Sequence, residues 1–286
     1  MNNKILISSD STCDLSPELL ERYNIKTVPL GVNLGDKTFF DGVDITPDEI
    51  YAHHEKTGEL PKTTAANVGD LIDYFKPLSE ENKAVIHLSL SSDFSSTYNN
   101  ACLAASEYDN IFVVDSRNLS TGNGLLVIAA KEMAESGMEA KKIVEKLNEM
   151  ALCVDASFVI DNLEYLHKGG RCSALAALGA NLLKLKPCIQ VKNGSMGVCK
   201  KYRGRYMQTL EEYAADRFAD LSDIDPDRVF ITHAGCDDEI VNGVYKLVEK
   251  TGHFKEIIVS RAGCTISSHC GKDTLGILYF RKTPLE

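Results

Sequence analysis

A two-domain α/β protein is the fold class this sequence predicts, and three observations point to it. Through the first half, short apolar runs alternate with helical patterns, the order that builds a largely parallel sheet with helices on both faces. Beyond about residue 154 the texture changes: an Asn-Gly hairpin joins the strands and helices, as expected of a smaller mixed α/β domain. The chain has 286 residues, enough for two cores. The domains are therefore placed at 1–154 and 155–286.

Taken in order, Ile5-Leu6-Ile7 is a buried-strand run that ends in Ser8-Ser9-Asp10-Ser11-Thr12. Ser16-Pro17-Glu18 opens a helix, with proline in the first turn where its missing N–H costs nothing. Residues 27–32 read as one strand whose Pro29 marks an end or an edge. Gly35-Asp36 is a hairpin turn leading to Thr38-Phe39-Phe40. Thr46-Pro47-Asp48-Glu49 fits a capping box and starts a helix over 47–56. Residues 61–66 form an extended connector, and Asn67 caps a helix with Leu71, Ile72 and Phe75 inward. A strand over 84–90 runs into the hydroxyl-rich turn 91–98, and a helix follows through Ala101, Leu103 and Ala104. A strand at 110–116 leads through Ser120-Thr121-Gly122-Asn123-Gly124 into a long helix ending at Ser136-Gly137, with another at 139–150.

In the second half, a strand at 157–160 precedes a short helix capped at 161–164 and closed by Gly169-Gly170. An apolar helix is expected over 174–185, then a hairpin about Asn193-Gly194. Helices near 205–221 and 237–250 flank a strand at 228–232, and strands at 256–259 and 274–280 close the chain. Residues 262–271 read as a polar loop between strands.

The composition, 44% hydrophobic and 25% charged, is that of an ordinary globular protein. A net charge of −10 argues against general nucleic-acid binding, which needs clustered Lys and Arg. No apolar run approaches the roughly 20 residues of a membrane span. Met1-Asn2-Asn3-Lys4 leads straight into a strand, so no secretory leader is expected and the address is cytoplasmic. Nine cysteines without CxxC spacing predict reduced thiols serving as small hydrophobes, with neither a disulfide framework nor a zinc site.

The strand–turn–helix at 84–104 gathers hydroxyls and free N–H groups at one point, the usual way an α/β protein binds negative charge. Gly122-Asn123-Gly124 lacks the third glycine of a dinucleotide fingerprint, since Val127 stands there; close helix packing explains it better. Ser95, Ser96, His87, His233, His269, Asp10 and Asp115 are ingredients of a nucleophilic triad, but no GxSxG elbow holds them. His87 and His233 fall in strands and read as structural. His53-His54 stands alone, without a metal-ligand set. His269, on the polar loop, is either a solvated histidine or a ligand contact.

Five segments, in order, resemble the DegV family: Asp10-Ser11-Thr12-Cys13-Asp14-Leu15, Pro61-Lys62-Thr63-Thr64, Ser91 through Tyr98, Leu163 through Arg171, and Gly263 through Gly271. The resemblance runs from Ile5 to about Arg281. It implies a non-catalytic carrier holding a long-chain fatty acid (palmitate, stearate or oleate) between two domains, with no other cofactor, and presenting the carboxylate to a fatty-acid kinase partner. The carboxylate contacts carry over to Thr63, Ser95, Ser96 and His269, and the headgroup and partner-facing residues to Arg171 and Arg203. A protonated His269 would add a charge-assisted bond. The run 174–183 and the helix after Gly122 are candidate cavity walls. Two departures from the family pattern bear on the headgroup: Ser96 stands where glycine is usual, and Lys272-Asp273 replaces Pro-Gly. A different class of function, an acyl hydrolase or transferase using Ser95 and His269, predicts turnover rather than stoichiometric binding.

Overall fold

The computed structural model describes residues 2–172 and 185–285. The helix expected over 174–185, and with it one proposed cavity wall, lies outside the described residues except for its last position. The chain opens with β1 (Asn2–Asp10), α1 (Pro17–Arg22), β2 (Lys26–Val28), β3 (Gly31–Leu34) and β4 (Lys37–Phe40). Ser16 caps α1 by accepting from the Leu19 N–H, as the Ser-Pro-Glu signal predicts. The single strand expected at 27–32 is two strands broken at Pro29-Leu30, and they belong to different sheets. Proline cannot donate to a ladder, so the break falls where pairing changes hands.

Next come α2 (Pro47–Thr57), β5 (Lys62–Thr64), α3 (Val68–Glu81), β6 (Asn82–Ser89), α4 (Thr97–Ala105), β7 (Ile111–Asp115), α5 (Thr121–Glu135) and α6 (Ala140–Met150). The capping box of Thr46 and Glu49 is formed, and Asn67 caps α3 through the Asp70 N–H. Residues expected as a plain connector supply β5, which pairs with β3 in a small antiparallel sheet ordered β4-β3-β5. Strands β2-β1-β6-β7 form the parallel sheet.

The second half contains β8 (Val154–Ile160), α7 (Glu164–Gly169), β9 (Lys186–Lys192), β10 (Ser195–Tyr202), α8 (Tyr206–Arg217), β11 (Ile224–Ala234), α9 (Asp238–Glu249), β12 (Glu256–Arg261), α10 (Cys264–Cys270) and β13 (Thr274–Arg281). Its mixed sheet is ordered β10-β9-β8-β13-β11-β12, with only the β11–β12 pair parallel. Asn193 and Gly194 both take positive φ in the β9–β10 turn, the geometry that makes Asn-Gly the strongest hairpin signal.

Helix α5 lies between the two large sheets, touching β1 and β6 of one and β8 and β13 of the other. Residues 121–130 are buried without interruption, as befits a helix apolar all round. Gly124 lets it close on the loop after β1: a Cβ there would meet the Cys13 carbonyl at 2.7 Å. Close packing therefore explains Gly122-Asn123-Gly124. One hydrophobic core runs through Ile7, Leu125, Phe158, Ile189 and Phe230, so the sheets share it across α5.

Candidate functional site

The segment expected as a polar loop at 262–271 is largely helical, and His269 sits in α10. No cap residue in the segment itself predicts this. The reason is tertiary: Asp41 accepts from the backbone N–H of Cys264 at 2.7 Å and of Thr265 at 3.0 Å, and Asp14 accepts from Gly263 N–H at 2.9 Å. Two carboxylates more than 200 residues away thus satisfy the free donors of the first turn. Ser120 donates to Asp14 at 2.5 Å, and Ser11 donates to Asp41 at 3.1 Å. Burial pushes Asp14 well above the usual carboxylate range, against the pull of the Ser120 and Gly263 hydrogen bonds. Asp10 is wholly buried, bonded to Thr12, Ser89 and Leu90 N–H, and ties the end of β1 to the end of β6. The Asp-Ser-Thr-Cys-Asp segment is therefore the joint of the molecule, and Asp14 and Asp41 are the site-positioning residues that the sequence reading missed.

On this frame, Thr63 from β5, Ser95 and Ser96 ahead of α4, Arg171 after α7 and His269 from α10 line one pocket. Arg203, beyond β10, is exposed and does not line it. Leu119, Ile266 and Cys270 are shared with a second, narrow and almost wholly apolar cavity. Ala156, Phe158, Val191 and Leu278 of the mixed sheet form part of its wall. Helix α5 contributes no lining residue to either cavity; only Leu119 and Ser120 before it do, so the helix is core. The Thr63 hydroxyl and His269 Nε2 are hydrogen-bonded at 2.8 Å. His269 Nδ1 is buried without a partner among the described residues and lies against Gly169. Burial, with the Arg171 charge adding to it, brings His269 down to about 4. The imidazole is consequently neutral at pH 7, so the charge-assisted bond that a protonated His269 would add is not offered: desolvation opposes the cation and no carboxylate offsets it.

The Ser95 hydroxyl is bonded to the Thr97 hydroxyl at 2.9 Å and accepts from the Thr97 N–H at 3.2 Å. Among the described residues no hydrogen bond joins Ser95 to His269, so nucleophile and base are not paired as acyl-transfer chemistry requires. Of the other triad ingredients, Asp10, His87 and Asp115 are held in structural hydrogen bonds, whereas His233 lines the apolar cavity. His87 is fully buried beside Ser8 and pushed down to about 3, and Asp115 accepts from Ser92 and Arg117 N–H. The side chains of β11 that join the α5-facing core are Phe230 and Ala234, whereas His233 feels Arg261 and Asp238. Ser96 adopts φ −74° and ψ −2°, a conformation any residue accepts, so the backbone there is not strained by the missing glycine. Lys272 and Asp273 line neither cavity; Asp273 N–H donates to the Ala234 carbonyl, and its own carbonyl accepts from Asp161 N–H. Arg171 donates to the Gly169 carbonyl at 2.9 Å and is exposed at the pocket mouth. Among the described residues no cluster of three or more His, Cys, Asp and Glu could hold a metal, and no helix is long and apolar enough to cross a membrane.

Comparison with known proteins agrees with this architecture. The family model described as "Uncharacterised protein, DegV family" matches residues 4–282. A DegV domain-containing protein of Caldanaerobacter subterraneus is 32% identical over 283 residues, covering 98% of this chain and 99% of that protein. Among solved structures, a DegV family protein of Thermus thermophilus, described for its fatty-acid binding, superposes with a TM-score of 0.91 at 30% identity. It covers 97% of this chain and 99% of that one. A stearic-acid-binding protein of Eubacterium ventriosum gives a TM-score of 0.82 at 28% identity, covering 96% and 98%.

Proposed function

This chain belongs to the DegV family, and on that premise we propose that it carries one long-chain fatty acid of the palmitate, stearate or oleate class. The acyl chain lies in the apolar cavity between residues 1–154 and 155–286, and the carboxylate meets Thr63, Ser95, Ser96 and His269. The observation that carries this reading is the convergence of those four residues, from three distant segments, on a pocket whose inner wall is shared with an apolar cavity. About 0.8 kcal/mol per buried methylene gives on the order of 12 kcal/mol gross for ~15 methylenes, before ordering costs, so the chain supplies most of the affinity.

The headgroup donors are neutral. His269 acts on the carboxylate through Thr63: donating from Nε2 to the Thr63 oxygen, it leaves the Thr63 hydroxyl proton free for the carboxylate. Ser95, whose oxygen accepts from the Thr97 N–H and, with Thr97 as donor, from the Thr97 hydroxyl, then has its own proton available in the same way. The N-terminus of α4, directly after Ser96, adds its partial positive charge. Arg171 at the mouth, with Arg203 further out, faces a fatty-acid kinase in the cytoplasm that supplies nucleotide and metal and forms the acyl phosphate.

Mass spectrometry of lipid extracted from purified protein tests the carrier reading; no acyl species and no uptake of palmitate or oleate would reject it. Arg171→Ala is expected to spare fatty-acid binding and impair acyl-phosphate formation with the kinase. Unchanged phosphorylation would remove Arg171 from that role.

A further inference from the structure

Away from the pocket, Cys188 on β9 and Cys199 on β10 face one another across the hairpin. Pairing along β9–β10 runs Val198 to Ile189 and then Lys200 to Cys188, so Cys199 is the extra residue of a bulge beside the Lys200–Cys188 pair. The two thiols interact directly, and Cys199 Sγ also donates to the Cys188 carbonyl at 3.4 Å. A disulfide joins Cβ atoms roughly 3.5–4.5 Å apart, and the contact between the two thiols, with Cys199 Sγ 3.4 Å from the Cys188 carbonyl, brings the pair close to that geometry. Cys188 is 3% exposed and Cys199 is exposed, so one sulfur meets solvent and the other waits behind it.

Cys199 also differs electrostatically from the other thiols. The hydrogen bond from Cys188 lowers it below an ordinary thiol, and the Arg217 guanidinium adds to the effect. Arg217 is itself fixed by Asp155 at 2.9 Å. Burial instead holds Cys13, Cys236 and Cys270 at about 12 and raises the part-exposed Cys102 and Cys153. Thiolate, not thiol, is the nucleophile, and a thiol near ambient pH attacks best.

We propose that Cys199 and Cys188 are a redox modification site, oxidised by hydroperoxides to an intrachain disulfide across β9–β10. The Cys199 thiolate attacks the terminal peroxide oxygen, breaking the O–O bond. Cys199 becomes a sulfenic acid, and the leaving oxygen departs as an alcohol, or as water from hydrogen peroxide. The Cys188 sulfur then attacks the Cys199 sulfur. The S–O bond breaks, the S–S bond forms, and the sulfenic oxygen leaves as water with the Cys188 proton. Two electrons pass from the two thiols to the peroxide, and a dithiol reductant reverses the change. The bond sits on a hairpin whose turn carbonyl, at Gly194, accepts from Ser91, and whose Met196 lines the headgroup pocket.

The test treats fully reduced protein with hydrogen peroxide and maps its peptides without reduction. A Cys188–Cys199 cross-linked peptide, with a mass loss of about 2 Da in the intact chain, is expected before any other disulfide. Cys199→Ser should abolish that loss, and Cys188→Ser should trap a Cys199 sulfenic acid as a dimedone adduct. Oxygen adducts on Cys199 of the wild-type chain without the cross-linked peptide, or a different disulfide forming first, would overturn the proposal. The wild-type map decides the matter even if a variant folds poorly.

Discussion

Thr63→Val separates headgroup recognition from everything else the pocket does. The substitution keeps the side-chain shape, sits on a strand that favours β-branched residues, and removes only the hydroxyl. In the free protein it leaves His269 Nε2 without the 2.8 Å partner it now has. That loss falls equally on free and bound states, so it lowers folding stability by about 1–3 kcal/mol without entering the binding equilibrium. Binding loses one hydrogen bond to an ionised carboxylate, about 1.5–3 kcal/mol, or roughly a 10- to 150-fold rise in Kd. The acyl contribution, on the order of 12 kcal/mol gross, is untouched. Titration calorimetry with palmitate reads the effect, and hexadecanol, which has the chain without the carboxylate, provides the control. Palmitate affinity should fall while hexadecanol affinity stays within about twofold of wild type. A variant that binds palmitate as wild type does, or loses both ligands equally, would refute the assignment of Thr63 to the carboxylate.

Asp41→Ala removes the acceptor for two buried N–H groups at the start of α10. It should cost about 2 kcal/mol or more in urea unfolding and weaken fatty-acid binding through His269, whereas a loss below about 0.5 kcal/mol would show that α10 is held otherwise. Gly169→Ala would place a Cβ 2.8 Å from His269 Nδ1, so fatty-acid affinity should drop roughly tenfold with little change in Tm; equal affinity would mean the imidazole position is unimportant. The pH dependence has a definite sign. His269 is a base brought from 6.5 to about 4 by burial, so the unfolded chain binds more protons below pH 6.5. The stability gap between wild type and His269→Gln should therefore be full above pH 6.5 and shrink, by up to about 3 kcal/mol, as pH falls toward 4. A gap that instead grows with acidification would mean the imidazole is charged in the fold.

Local signals carried the elements whose ends are satisfied by their own neighbours. Ser16, Thr46 with Glu49, and Asn67 each bond N–H groups within three residues, and the Asn193-Gly194 turn needs only its own φ angles. The elements misread were those completed from afar. β5 exists because β3 pairs with it, and α10 because Asp41 and Asp14 reach its first turn. Period and capping rules look a few residues along the chain and cannot register a partner two hundred residues distant.

The candidate site divides in the same way. Residue types and motif order, without any coordinates, singled out Thr63, Ser95, Ser96, Arg171 and His269, which the fold brings to one pocket, and pointed to the acyl carrier proposed above. The tertiary structure alone decided that His269 is helical and buried, and so neutral, and that Arg203 stands outside the pocket. It also made Asp14 and Asp41 the supports of that helix. The physical reason is that a protonation state depends on desolvation and neighbouring charge, and a long-range cap depends on distance. Both are properties of the packed chain, and neither is written in the order of its residues.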